Sequence, residues 1–167
     1  MGPEEKGCGI MIRSERGSIW AYEKTHLLVI PCNIGWRAKD QANVMGRGLA
    51  LQAAKKYPDF QMWFGKECAA RGAQTPVLRY PDGPLIAFPV KPLNAAAPWM
   101  SWKNKADLKL IERSAQQLDK LPTDRPVAVS MVGCGNGGLD MSEVRPILDR
   151  HLSSGRFTLI LYGGEAC

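Results

Sequence analysis

The sequence predicts an α/β chain: a three-layer α/β/α domain built on a central mixed β-sheet. Three observations carry this expectation. Short apolar runs alternate along the chain with stretches of helical periodicity, which is the signature of strands flanked by covering helices. A Pro81-Asp82-Gly83 turn signal separates two strand-like runs and asks for one hairpin within the sheet. Two glycine-rich segments stand immediately before helices.

The elements can be taken in chain order. Gly9 to Ser14 and Ser18 to Tyr22 read as short strands, and His26 to Pro31 reads as a buried one. Leu49 to Lys56 is rich in helix formers, and Pro58 with Asp59 opens a second helix through Ala70. The runs "TPVLRY" and "LIAFPV" form the hairpin. From Lys105 to Lys120, Leu108, Ile111, Ala115 and Leu118 recur at the period of one buried helical face. "VAVSMV" is an apolar strand that runs into "VGCGNGGLDM". Val144, Ile147, Leu148 and Leu152 then repeat at helical spacing; Ser142 or Asp140 is the cap, and Pro146 favours a start near Ser142. Arg156 to Tyr162 closes the sheet.

The 167 residues, 45% hydrophobic and 23% charged, are expected to form one domain, residues 1–167, with a core that needs no disulfide or metal. Its net charge of +6 favours anionic partners, either a phosphorylated small molecule or a nucleic acid backbone. Five cysteines, Cys8, Cys32, Cys68, Cys134 and Cys167, form no C-x-x-C pair, and His26 and His151 lie far apart, so no metal site is expected. A reducing cytoplasm fits this thiol content. No stretch approaches the roughly 18 apolar residues of a membrane span, so no membrane partner is expected.

Gly133, Gly135 and Gly138 match the dinucleotide-binding pattern G-x-G-x-x-G. That fingerprint normally lies on the first strand, with an acidic residue about 20 positions on that holds the ribose. Here Thr158 stands at the acidic position, and the chain beyond the glycines has room for one helix and one strand. The surviving reading is local. Glycines between a strand and a helix expose backbone N–H groups at the positive end of a helix dipole, where phosphate binds. "NVMGRGLALQ" repeats the arrangement, with Gly46 and Gly48 before the Leu49 helix. Two such loops in one domain grip a diphosphate from both sides.

With both loops in view the chain resembles the macrodomain family of ADP-ribose-binding α/β/α modules, and within it the DarG-like branch that removes ADP-ribose from DNA. The resemblance rests on "VIPCNIGW", "VMGRGLALQAAKKYP", "FPVK" and "VGCGNGGLDM", in the family's order. It implies ADP-ribose as ligand or product, with no other cofactor. It implies contacts to adenine from Ser18 and Ile19, with Ser18 where the family usually has an aspartate, and from Tyr162. It places Asn33 near the distal ribose, Met45, Gly46, Arg47, Gly48 and Leu49 against the diphosphate and distal ribose, and Gly133, Cys134, Gly135, Asn136, Gly137, Gly138 and Leu139 around the diphosphate. It also implies a monomer that acts on an ADP-ribosylated macromolecule, DNA among the candidates, in an antitoxin-like pairing with an ADP-ribosyltransferase.

The lysine of an "FPTK"-like segment carries catalysis in that branch, and Lys91 of "FPVK" occupies the place. Lysine is a nucleophile when burial or a neighbouring cation lowers its pKa. Lys91 and Asn33 are therefore the candidate catalytic pair, and a binding module without turnover is the competing reading. Two stretches are longer than the branch leads one to expect: residues 34–44, read as an enlarged rim or a solvated loop, and residues 92–101, read as a flap or as packing. Trp102, Lys103 and Asn104, just beyond, stand in for residues the branch usually has after its lysine. Cys134 reads as packing and not as a nucleophile, because thiolate is disfavoured beside a bound anion.

Overall fold

The computed structural model describes residues 11–162. Gly9 and Ile10 of the first expected strand, together with Cys8 and Cys167, lie outside the described residues. Six strands form one sheet in the order β1-β6-β5-β2-β4-β3: β1 (Arg13–Arg16), β2 (Leu27–Asn33), β3 (Leu78–Arg79), β4 (Leu85–Lys91), β5 (Val127–Val129) and β6 (Phe157–Leu161). All neighbours pair in parallel except β3 with β4, the predicted hairpin, so the sheet is mixed.

Alternation along the strands divides the core into two layers. Leu27 and Val29 of β2 face one side with Ile86, Phe88, Val127 and Leu159; Leu28 and Ile30 face the other with Leu85, Ala87, Ala128 and Ile160. The first side is covered by α3 (Leu108–Lys120) and α4 (Met141–His151) through Ile111, Ala115, Leu118, Val144 and Leu148. The second is covered by α1 (Gly48–Lys56) and α2 (Pro58–Arg71) through Ala53, Phe60, Phe64 and Cys68. The two covering layers are the expected α/β/α arrangement. Glu112 of α3 ties the first pair together by binding both Arg150 and His151 of α4.

One local expectation is corrected, and the choice between two cap candidates is decided. Ser18 to Tyr22 is not a strand: Ile19–Tyr22 is a turn of 3-10 helix, because the Ser18 hydroxyl accepts from the Trp20 N–H at 3.2 Å and caps it. Helix α4 starts at Met141 and is capped by Asp140, whose carboxylate accepts from the Ser142 amide while the Glu143 side chain accepts from the Asp140 amide. Pro146 therefore sits in the second turn.

The long stretch 34–44 is packed, and the solvated-loop reading fails. Ile34, Ala42 and Asn43 are buried. A Cβ on Gly65 of α2 would lie 2.0 Å from the Gln41 carbonyl oxygen, and one on Gly35 would lie 2.1 Å from the Pro98 carbonyl oxygen. The stretch is thus wedged between α2 and the second long stretch, which itself folds into a 3-10 helix at Pro98–Lys103. The carboxylate of Asp40 closes the outer turn by pairing with Arg37 and accepting from the Ala42 amide.

Candidate functional site

In a parallel sheet, ligands bind beyond the carboxyl ends of the strands, and a cavity of about 610 Å³ opens there. Asn33 and Lys91 end β2 and β4 and are register partners across the sheet. The register slips between Cys32 and Asn33, so Lys91, and not Val90, stands opposite Asn33. Both residues line the cavity.

Lys91 is half-buried and donates from Nζ to the Trp102 carbonyl at 2.7 Å. Its pKa is lowered from the ordinary lysine value, first by burial and then by the Arg47 charge, so a larger fraction of the amine is neutral near pH 7. The segment after the 3-10 helix fixes this corner. The Asn104 side chain donates to the Pro92 carbonyl, the Asp107 amide donates to the Val90 carbonyl, and the Ala106 amide donates to the Gly137 carbonyl. One segment therefore ties the lysine to the glycine-rich loop.

The Asn33 amide is held in place on both sides. Its Oδ1 accepts from the Gly35 amide at 2.9 Å and from Asn43 Nδ2 at 3.1 Å, and its Nδ2 donates to the Val44 carbonyl at 2.8 Å. That leaves one Nδ2–H for a ligand. Asn43, fully buried, donates to the Asn33 and Gly35 carbonyls at 2.9 and 2.8 Å and so fastens stretch 34–44 to the end of β2.

The two glycine loops face each other. Gly133, Gly135 and Gly138 take φ of 81°, 65° and 79°, which only glycine adopts without strain. A Cβ on Gly48, φ 56°, would meet Asn136 Nδ2 at 3.0 Å, so the loops touch. The dipole expectation is corrected here. The α4 terminus is satisfied by its own Asp140 and Glu143, and Gly138 and Leu139 fall outside the cavity wall: Gly138 packs beneath the Lys105 stem, and Leu139 packs against the core. Helix α1 is the one aimed at the cavity. Its first turn, Gly48 to Ala50, lines the cavity, and its N-cap Arg47 supplies no side-chain bond, leaving amide donors and a guanidinium for an anion.

At the other end Ser18, Ile19, Trp20, Gln52, Ile160 and Tyr162 line the cavity. Trp20 Nε1 donates to Gln52 Oε1 at 2.7 Å, and Lys56 Nζ lies 4.9 Å from the Trp20 ring centre. Ser18 and Ile19, Met45, Gly46 and Leu49, and Gly133, Cys134, Gly135 and Gly137 all line the cavity. Trp102, already singled out beyond the lysine, lines the wall, and Trp20 and Gln52 are wall residues that the motifs did not assign; the i, i+4 spacing of Gln52 and Lys56 on α1 was the one signal that both rise toward Trp20. Among the described residues, no Asp, Glu or His lines the cavity. No group of three or more His, Cys, Asp or Glu able to hold a metal occurs among the described residues, and no helix among them is long and apolar enough to cross a membrane.

The parallel-centred α/β/α sheet with its carboxyl-edge cavity has the fold of solved macrodomains. No protein-family model matches the chain. It is 25% identical to the solved "Macrodomain of Mycobacterium tuberculosis DarG", covering 93% of this chain and 99% of that one at a TM-score of 0.68. It also superposes on "Thermosipho africanus DarTG in complex with ADP-ribose" at a TM-score of 0.70, with 21% identity over 95% of this chain and 43% of that one. Among curated proteins, it is 28% identical over 136 residues, 71% of this chain, to a DNA ADP-ribosyl transferase-DNA ADP-ribosyl glycohydrolase fusion protein of Thermosipho africanus. It is 32% identical over 112 residues, 60% of this chain, to a DNA ADP-ribosyl glycohydrolase of Mycobacterium tuberculosis. The chain spans 35% and 29% of the lengths of these two relatives. The chain has the macrodomain fold and is similar in sequence to these DarG proteins.

Proposed function

We propose that this chain binds ADP-ribose in the cavity and hydrolyses the N-glycosidic bond that joins it to a macromolecule, a nucleobase of DNA being the favoured carrier. The observation that carries the reading is Lys91: a half-buried amine with a lowered pKa, held by the Trp102 carbonyl beside Asn33 in a cavity whose described walls hold no carboxylate or imidazole. Glycoside hydrolysis ordinarily uses a carboxylate pair. Lacking one, the site relies on the amine. Lys91 Nζ bonds the anomeric carbon as its bond to the nucleobase breaks, and the base leaves with the electron pair and takes up a proton. Water then cleaves the ribosyl-lysine bond, restoring the amine and releasing ADP-ribose. Arg47, the first turn of α1 and the glycine loop hold the diphosphate, and the spare Asn33 N–H meets a ribose hydroxyl.

The relatives' names support the assignment, and the fused transferase of one relative supports an ADP-ribosyltransferase as the opposing activity. The buried thiols Cys32 and Cys68 suit a reducing cytoplasm, and a monomer suffices for the chemistry. The test is release of ADP-ribose from ADP-ribosylated single-stranded DNA. Wild-type protein releases it, and Lys91→Ala does not while retaining most of its affinity for free ADP-ribose in a calorimetric titration. Binding without release from modified DNA, protein or ADP-ribose phosphate would refute hydrolysis and leave a binding module.

A further inference from the structure

The wall beside Lys91 carries a feature to which the proposed function gives no ADP-ribose contact. In the 3-10 helix Pro98–Lys103, Trp99 and Trp102 stand three residues apart, the spacing that puts side chains on one side of such a helix, about 6 Å apart along its axis. Trp102 lines the cavity, and Trp99, outside it, is 46% exposed, among the few large apolar side chains on the described surface. Two exposed cations lie over the Trp102 ring: the Arg47 guanidinium at 5.5 Å and Lys103 Nζ at 5.4 Å. Lys105, also exposed, lays its stem over Gly138 and extends the positive strip along the glycine loop. The carboxylate next in sequence, Asp107, is occupied as the cap of α3.

We propose that this helix is a stacking platform for the single-stranded nucleic acid that carries the ADP-ribose, with Trp102 taking a base at the cavity mouth, Trp99 taking its neighbour, and Lys103 and Lys105 meeting the phosphates. The inference deepens the proposed function and rests on it for the identity of the carrier. An aromatic pair interleaved with cations is the pattern that holds bases by their faces and the backbone by its charge. Because Trp102 holds Lys91 through its carbonyl, the platform and the nucleophile are built into one segment, which places a stacked base next to the bond to be broken. Arg47 and Lys103, both at the surface, slide from the ring to phosphate as a base arrives. An acidic protein segment would use the cations alone and leave both indoles idle.

The test uses the whole chain and an unmodified single-stranded oligonucleotide, followed by fluorescence anisotropy at low salt, so it does not depend on turnover. Trp99→Ala and Trp102→Ala each weaken binding roughly five- to a hundredfold, Trp99→Phe retains most of it, and reversing Lys103 and Lys105 to Glu lowers the salt slope by about 0.7 per lost cation. Trp99→Ala keeps the wild-type affinity for free ADP-ribose, which shows that the fold is intact. Wild-type binding no tighter than that of the double tryptophan variant, or equal binding of an acidic polypeptide, overturns the platform. Loss of the platform with release of ADP-ribose intact leaves the proposed hydrolysis standing. Oligonucleotide binding through the tryptophans without release does the reverse.

Discussion

Asn43 is the residue whose removal should do the most damage for its size. It is fully buried, and its Nδ2 donates to the carbonyls of Asn33 and Gly35 at 2.9 and 2.8 Å. Its Oδ1 has no partner among the described residues, so the whole contribution comes from the donor side. Asn43→Ala leaves two buried carbonyls unpaired, each costing roughly 1–3 kcal/mol, for a total of about 2–6 kcal/mol. For a chain of this size each kcal/mol moves Tm by about 2–4 °C, so the midpoint should fall by roughly 4–24 °C. Asn43→Asp offers a sharper variant, with nearly the same shape but an acceptor facing two acceptors. Its carboxyl is held protonated in the folded state, so the folded-state pKa exceeds the unfolded one and stability rises as pH falls. Thermal and urea unfolding near pH 5 and pH 8 would measure both variants. A change below about 0.5 kcal/mol, the range of ordinary surface substitutions, would refute the view that Asn43 fastens this stretch. So would an Asn43→Asp penalty that does not grow with pH.

Release of ADP-ribose should increase with pH as Lys91 loses its proton, with the rise centred below the ordinary lysine range; Arg47→Gln removes one of the two causes of the lowered pKa and should move the pH-rate profile to higher pH. Gly35→Ala drives a methyl against the Pro98 carbonyl and should destabilise by about 1–3 kcal/mol or more in urea unfolding, whereas Gly155→Ala, with open space around it, should be neutral or slightly stabilising. Glu112 is held below its usual pKa first by His151 and then by Arg150, so the stability it contributes is present at neutral pH and lost as pH falls through that depressed value. Glu112→Gln should therefore flatten the acid limb of the stability profile, a change readable by thermal unfolding across pH.

What was legible in the sequence was what local rules govern. The hairpin at Pro81-Asp82-Gly83, the apolar face of α3 and the glycine-rich connection between β5 and α4 come from turn chemistry and periodicity, and the structure repeats them. Ser18 to Tyr22 misled because a short apolar and aromatic run such as Ile19 to Tyr22 fits a strand or a turn of helix, and a single hydroxyl cap decided between them. Stretch 34–44 misled because its polar, basic composition describes its outer turn, whereas its burial depends on Gly65 and Gly35, whose missing side chains matter only once a partner backbone is known. The choice between α1 and α4 as the anion-facing helix was equally hidden, since the capping box of α4 could be read from Asp140 and Glu143 but not the empty cap of α1.

In the proposed reaction Arg47 has two tasks that would otherwise conflict. Attack by Lys91 needs a neutral amine, and burial favours it, but a diphosphate in the same cavity pulls the other way by stabilising the protonated form. A carboxylate base could not relieve this, because it would be repelled by the same diphosphate, and none lines the wall among the described residues. Arg47 stands at the N-terminus of α1, where it would offset the charge of a bound diphosphate, and close enough to Lys91 to help lower its pKa. The Trp102 carbonyl completes the arrangement. It accepts an N–H from the amine in either protonation state, so Lys91 keeps its position as the proton leaves, and the lone pair that forms is not consumed by the bond that holds it.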